Sequence, residues 1–272
     1  MGNSRKKGFS VSEKSGILAF ALAFLLAFAD IRLAVIPLTV FVLLCLSAPF
    51  FPSLPFFLPV ISRGKSGKKA VSLTFDDGPD PFSTPDLLSL LSRHGVRAAF
   101  FINGKKAASH PELIREILDR GHSLGNHSYI HDNLLMLKSG EYLEEEIEKT
   151  QQILGHFGIR TYAFRPPVGI TNPRLRDTLK KKGMYALNFS CRGPDAGNRR
   201  IRKLAERILR KIRPDDIVLL HDVRPFPENK TDDWLREIDR LLYGLRAKGF
   251  SVLPLEELTG KKVMADNGSR NP

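Results

Sequence analysis

The chain has 272 residues, 42 of them Lys or Arg against 29 Asp or Glu, a net charge of +13, and 42% hydrophobic residues. That length permits one large α/β domain with something added, or two small domains, and two cysteines are too few for a small disulfide-stapled fold. The positive excess asks for an anionic partner surface, which bilayer headgroups or a nucleic acid supply.

The N-terminal quarter differs in character from the rest. Residues 1–15 form a basic segment with Arg5, Lys6, Lys7 and Lys14, and residues 16–29 and 33–62 then run without a charged side chain. Together they are too long for a cleavable signal peptide. We expect a transmembrane hairpin or anchor over residues 16–62, turning at Asp30-Ile31-Arg32. A single signal-anchor with the other run lying at the interface is the alternative. The first run makes a helix only about 21 Å long, against about 30 Å of hydrocarbon. The prolines at 37, 49, 52, 55 and 59 hold the second run's regular helix to about residues 33–51. Flanking Lys and Arg leave a hairpin's main domain in the cytoplasm, whereas a single span puts it outside. The expected location is the cell membrane, on a side the sequence leaves open. Cys45 lies in the apolar run and Cys191 in the polar part, so no disulfide is expected between them.

A Gly/Ser/Lys linker at residues 63–69 leads into a domain over residues 70–260. Strand-like runs at 70–75, 98–102, 122–126, 162–165, 185–190, 217–221 and 250–253 alternate with helical segments at 85–94, 111–120, 139–157, 173–182, 201–212 and 231–247. Pro111 suits a first helical turn, and Ser139 suits an N-cap with Glu141 and Glu144 near that amino end. Seven strands alternating with helices imply a mainly parallel sheet, open or closed into a barrel, with functional residues at the strands' carboxyl ends. Residues 261–272 read as a disordered polar tail.

Thr74-Phe75-Asp76-Asp77-Gly78-Pro79 ends the first of these strands with two adjacent acids and a bend. The bend lets the two acids divide into a metal ligand and a base, although the same residues also make ordinary turn chemistry. His127 and His131 follow the third strand. Their spacing brings two imidazoles to one side of a helical turn, able to close on one ion with a carboxylate such as Asp77, although paired histidines are also common on surfaces. Three more segments stand at predicted strand ends: Arg165-Pro166-Pro167-Val168-Gly169, Ser190-Cys191-Arg192-Gly193-Pro194-Asp195 and Leu219-Leu220-His221-Asp222.

In this order, Thr-Phe-Asp-Asp-Gly, His-Ser-x-x-His, Arg-x-Pro-x-Gly, Ser-x-Arg-Gly-x-Asp and Leu-x-His resemble the NodB-homology polysaccharide deacetylases, carbohydrate esterase family 4, over about residues 68–258. The resemblance implies an α/β fold, a distorted (β/α) barrel of about seven strands, here preceded by the N-terminal membrane hairpin. It implies a hydrolase of carbon-nitrogen bonds other than peptide bonds. Asp77, His127 and His131 would hold a divalent metal, usually zinc and in some members another transition metal. Asp76 would be the base, aligned by Arg165. His221 would be the acid, oriented by Asp195, and the backbone N–H of Val168 would meet the oxyanion. Pro166, Pro167 and Phe189 are assigned to substrate binding.

Val168 and Ala196 stand where the family usually has aromatics, and Phe189 where Trp is common, which thins the walls that grip a sugar ring. The expected substrate is an N-acetylhexosamine unit of a cell-envelope glycan or a lipid-linked sugar, and the bilayer is the other expected partner. The alternatives are a deformylase or other amide hydrolase on a lipid-linked amino sugar, and a non-catalytic membrane-anchored glycan-binding barrel. Nucleic acid is not expected, the basic helix at 201–212 being the feature that would favour it.

Overall fold

The computed structural model describes residues 9–48, 51, 54–226 and 230–266. The chain enters through two helices, α1 (Val11–Ala27) and α2 (Val35–Ser47). Ser10 caps α1 in a capping box with Glu13, and Asp30 caps the 3-10 turn Ile31–Ala34 that reverses the chain. The turn therefore forms where the polar triplet Asp30-Ile31-Arg32 predicts it. Membrane crossing is not supported: no helix among the described residues is long and apolar enough to span. The 17 residues of α1 rise only about 26 Å and include Glu13 and Lys14, and α2 has just 13. Residues 49–50 and 52–53 of the expected second span lie outside the described residues. The hairpin still exposes a large apolar surface, with Phe20, Phe24 and Leu43 among the exposed side chains.

Among the described residues eleven strands follow: β1 (Val60–Ile61), β2 (Ala70–Asp76), β3 (Ala99–Ile102), β4 (Ser123–Asn126), β5 (Ile159–Thr161), β6 (Ala163–Phe164), β7 (Tyr185–Leu187), β8 (Cys191–Arg192), β9 (Asp216–His221), β10 (Ser251–Val252) and β11 (Met264–Asp266). Between them lie α3 (Thr84–Arg93), α4 (Gly104–Ser109), α5 (Pro111–Asp119), α6 (Gly140–Gly155), α7 (Pro173–Lys181), α8 (Leu204–Leu209), α9 (Thr231–Ala247) and α10 (Leu255–Thr259). Nine strands form one parallel sheet in the order β1-β7-β6-β4-β3-β2-β9-β8, with β10 also on β2. The sheet is curled, as a distorted (β/α) barrel requires. Near its seam Arg63 bridges Asp216, and Ser190 N donates to Ile217 O at 3.1 Å as the chain passes from β7 to β8.

All seven predicted strands form, and the count is nine rather than about seven because β1 closes the apolar run read as a membrane segment and β8, Cys191-Arg192, is cut short by Gly193-Pro194 in a segment read as a strand-end motif. Residues 264–266 are not part of a disordered tail: they pair antiparallel with β5. Residues 267–272 lie outside the described residues. The helix expected over 201–212 narrows to α8, because Lys203 just before it takes a left-handed φ of 57°.

Every residue of β2 is buried, so its alternation is not between core and water but between two cores. Val71, Leu73 and Phe75 face helices, packing in the same cluster as Leu87, Leu91, Trp234 and Leu241. Ala70 belongs to an interior cluster with Ala99, Phe101, Leu187, Ile217 and Leu219. The two-residue period then carries Ser72, Thr74 and Asp76 inward as well. Ser72 and Thr74 satisfy their hydroxyls on Leu253 O at 2.6 Å and Val218 O at 2.8 Å, and Asp76 is left at the carboxyl mouth.

Candidate active site

Asp76 is only 4% exposed, a carboxylate in a place that demands a partner. Arg165, which follows β6, supplies it: Nη1 donates to Asp76 Oδ1 at 2.6 Å and to Thr74 Oγ1 at 2.8 Å. Nε and Nη2 of the same guanidinium donate to Leu187 O and Asn188 O, and its face lies 3.9 Å from the Phe101 ring centroid. Arg165 is itself 1% exposed, so the pair is fixed on every side.

Immediately after β2 the backbone turns left-handed, with Asp77 at φ 72°. The turn takes the Asp77 carboxylate off the strand's alternation and toward the two histidines. Gly78 is obligatory next to it, since a Cβ there would come 2.5 Å from Asp222 Oδ2. Asp222, fully buried after β9, accepts hydroxyl hydrogens from Ser83 at 2.7 Å and Thr84 at 2.6 Å, and its N–H donates to Asp76 O at 2.8 Å. It thereby ties the start of α3 to the acidic turn. Burial pushes the Asp222 carboxyl up to about 7, against the lowering effect of the two hydroxyls.

His127 follows β4 and is 2% exposed, with Nδ1 2.6 Å from Arg165 O. That carbonyl accepts the Nδ1 proton, which leaves Nε2 with a lone pair. The segment from His127 to His131 is not the helical turn suggested by the spacing. Ser128 and His131 take φ of 65° and 57°, and two bends rather than one helical turn bring the rings to 4.7 Å between centroids. Glu146 of α6 holds this loop, its Oε2 accepting from Tyr129 N at 3.0 Å and Ile130 N at 2.9 Å.

Asp77 Oδ1 lies 3.4 Å from His127 Nε2 and 3.1 Å from His131 Nε2, yet it is buried without a hydrogen-bond partner. Three ligand-type atoms within 4.8 Å of one another, one of them an orphaned carboxylate oxygen, fit a divalent cation. Burial raises the Asp77 carboxyl, but the imidazoles of His127, His131 and His221 outweigh it and hold the group well below the usual carboxylate range. His127 is shifted the other way: burial opposes its charge, and Asp76 and Asp77 raise its proton affinity above the ordinary value. Protons and a metal ion would therefore compete for the same Nε2.

Across the cleft His221 ends β9, with Nδ1 2.8 Å from Asp195 Oδ2. Burial disfavours its charge, but the hydrogen bond and charge of Asp195, with Asp77 and Asp76 behind, hold the imidazole up at about 9. The loop bearing Asp195 is pinned by Asn198, whose Nδ2 donates to His221 O at 3.0 Å and Val223 O at 2.8 Å. The cleft encloses about 640 Å³, lined by Asp76, Asp77, His127, His131, Arg165, Asp195 and His221 together with Val168 and Phe189. Pro166 and Pro167 are buried and do not line it. They set the turn that leaves Val168 at φ 51°, half exposed, with an N–H that donates to no group among the described residues.

Sequence reasoning missed Glu146, Asn198 and the structural work of Asp222. Glu146 sits on α6 where any solvated helical Glu would, and only its 3% exposure marks it. Asp222 alone carried a signal, adjacency to His221.

A family model described as polysaccharide deacetylase matches residues 63–187. A chitooligosaccharide deacetylase of Bradyrhizobium sp. (strain ANU 289) is 34% identical over 201 residues, covering 71% of this chain and 92% of that protein. The peptidoglycan-N-acetylglucosamine deacetylase PgdA of Listeria monocytogenes is 28% identical over 206 residues, 76% of this chain but 42% of the longer relative. Among solved structures, the Bc1960 peptidoglycan N-acetylglucosamine deacetylase, in complex with a benzamide ligand, superposes with a TM-score of 0.67 at 28% identity, over 75% of this chain and 94% of that one. The ordered strand-end motifs and a relative matched along nearly its whole length place this chain in the polysaccharide deacetylase family, the NodB-homology carbohydrate esterases of family 4, hydrolases of N-acetyl amide bonds.

Proposed function

We propose that the protein is a metal-dependent N-deacetylase acting on N-acetylhexosamine units of a cell-envelope glycan or of a lipid-linked sugar. The observation that carries this reading is the placement of the Asp76–Arg165 pair and the His221–Asp195 pair in one cleft with the Asp77, His127 and His131 ligand atoms. The names of the relatives support the N-acetylglucosamine part of it.

Asp77, His127 and His131 would hold the cation, and a one-carboxylate, two-imidazole set suits zinc. When bound, such an ion supplies Lewis-acid activation of water and of a carbonyl. Asp76 accepts the proton of the attacking water, and Arg165 holds that carboxylate in place. As the acetyl carbon becomes tetrahedral, the unpaired Val168 N–H meets the oxygen that gains charge. His221, protonated through Asp195, gives a proton to the departing nitrogen, so that acetate and a free amine leave. Phe189 supplies apolar wall beside the sugar.

The exposed apolar side chains of α1 and α2 support a position against a membrane surface, and flotation of the full chain with vesicles tests it. For the reaction, acetate released from N-acetylglucosamine oligomers is measured before and after chelation and after zinc is restored. Loss on chelation with recovery on zinc is expected. Full activity in a metal-free preparation would overturn the metal assignment, and no acetate from any amino-sugar substrate would overturn the reaction.

A further inference from the structure

The side of the cleft that carries the proton donor is cationic beyond what the chemistry needs. Arg192 ends β8, and Arg199 and Arg200 follow Asp195 on the loop pinned by Asn198; all three line the same cleft as Asp76 and His221. Their side chains are exposed, and none makes an ion pair or side-chain hydrogen bond among the described residues. Arg192 lies over the Phe189 ring at 5.5 Å from its centroid. The display is fixed by the backbone: Asp195 is tied to His221, Arg200 N donates to Asp195 O at 2.8 Å, and Asn198 is locked to the end of β9.

The charge does not end at the rim. Arg199 and Arg200 also line an adjoining cavity of about 370 Å³, together with Arg202, Arg236 and Arg240. That cavity's two acids are already engaged, Asp233 by Arg236 and Glu237 by Arg240. On the cleft side the carboxylate of the same loop, Asp195, is committed to His221. Guanidiniums without a protein partner, reaching from the cleft into a second hollow, suit a multiply charged oxyanion better than a neutral sugar. A single carboxylate leaves most of that charge unmatched, whereas a diphosphate does not.

We propose that Arg192, Arg199 and Arg200 form an anion subsite that receives a phosphate or diphosphate ester attached to the amino sugar whose acetyl group occupies the cleft. The subsite rests on the deacetylase reading above and narrows its substrate to a phosphorylated one. The phosphate could be carried by a polyprenol or by a nucleoside, and the subsite recognises what they share.

The test compares three substrates with the full-length protein: N-acetylglucosamine linked through diphosphate to a short polyprenol, the same sugar on uridine diphosphate, and neutral tri-N-acetylchitotriose. For wild type at low salt we expect kcat/KM at least about tenfold higher on the diphosphates. In R199A/R200A that preference falls by about tenfold, with the loss in KM rather than kcat, and Arg→Lys replacements restore part of it. Added salt lowers the wild-type preference in the same direction. The better of the two diphosphate arms identifies the carrier. A preference that ignores both the arginines and salt, or one that follows the carboxylate of a muropeptide instead, overturns the subsite. Calorimetric titration with inorganic pyrophosphate separates this inference from the reaction itself. Arginine-dependent pyrophosphate binding without acetate release from any substrate sustains the subsite and removes the deacetylase reading. Acetate release with pyrophosphate affinity unchanged in R199A/R200A does the reverse.

Discussion

Asp195→Asn isolates the proposed proton donor, His221. The substitution keeps a hydrogen-bond acceptor 2.8 Å from His221 Nδ1 and removes the charge that opposes the burial of the imidazolium. With Asp195 ionised, His221 titrates at about 9, against an ordinary value of 6.5. At pH 8 about 90% of the imidazole is then protonated. Removing that charge takes away the largest raising influence, and a return to the ordinary 6.5 would leave only about 3% protonated at pH 8, roughly a thirtyfold loss of active acid. The sign is set by the raised value: the pair stabilises the fold fully below pH 6.5, and that contribution fades as pH rises through about 9. In kcat/KM profiles for acetate release, wild type should lose activity on an alkaline limb near pH 9, and Asp195→Asn should carry that limb down by about two pH units or more. Much of the activity should return near pH 6. A reduction of equal size at every pH, with the limb unmoved, would refute the assignment of His221 as acid and show Asp195 to be a packing residue.

Three further outcomes follow from the supports of the site. Arg165→Met leaves the Asp76 carboxylate buried without its partner and should cost about 3–5 kcal/mol in chemical denaturation; a change under about 1 kcal/mol would mean that solvent reaches the pair. Glu146→Ala strips two backbone N–H groups of their acceptor and should weaken metal affinity about 10–100-fold, with Glu146→Gln closer to wild type because it keeps an oxygen; equal affinities in all three would remove Glu146 from the metal loop. Asp222, an acid raised to about 7 by burial, should make the fold less stable as pH rises from about 4 to 7, where the unfolded chain ionises it and the folded chain resists. Asp222→Asn should flatten that part of the stability profile, and an unchanged slope would assign it to other groups.

The sequence made the chemistry more legible than its scaffolding. Asp76, Asp77, His127, His131, Arg165, Asp195 and His221 each close or follow a strand, where alternation ends abruptly in polar residues, and the cleft collects all seven. Seven strands were readable from apolar runs. β1 and β8 were not, since Val60-Ile61 merges with the apolar run before it and Cys191-Arg192 is cut short by Gly193-Pro194, nor was β11, whose Met264-Ala265-Asp266 looks like tail until Ile159-Arg160-Thr161 pairs with it. The spacing of the histidines was right about convergence and wrong about its cause, because positive φ at Ser128 and His131 replaces the helical turn. Glu146 and Asn198 act through the backbone of distant segments, a relation that spacing along the chain does not encode. In the N-terminal region the apolar runs predicted helices and their turn, while the prolines and the charges at α1's start shortened them below a span.

In the proposed mechanism Asp77 serves the metal and its neighbour Asp76 serves the proton. Asp76→Asn keeps side-chain shape and an oxygen for Arg165, so metal content and acetate release measured on the same preparation test the division directly. We predict metal at wild-type stoichiometry with acetate release reduced by about 10²–10⁴-fold. Acetate release that survives at the wild-type rate in the metal-loaded Asp76→Asn protein would contradict it.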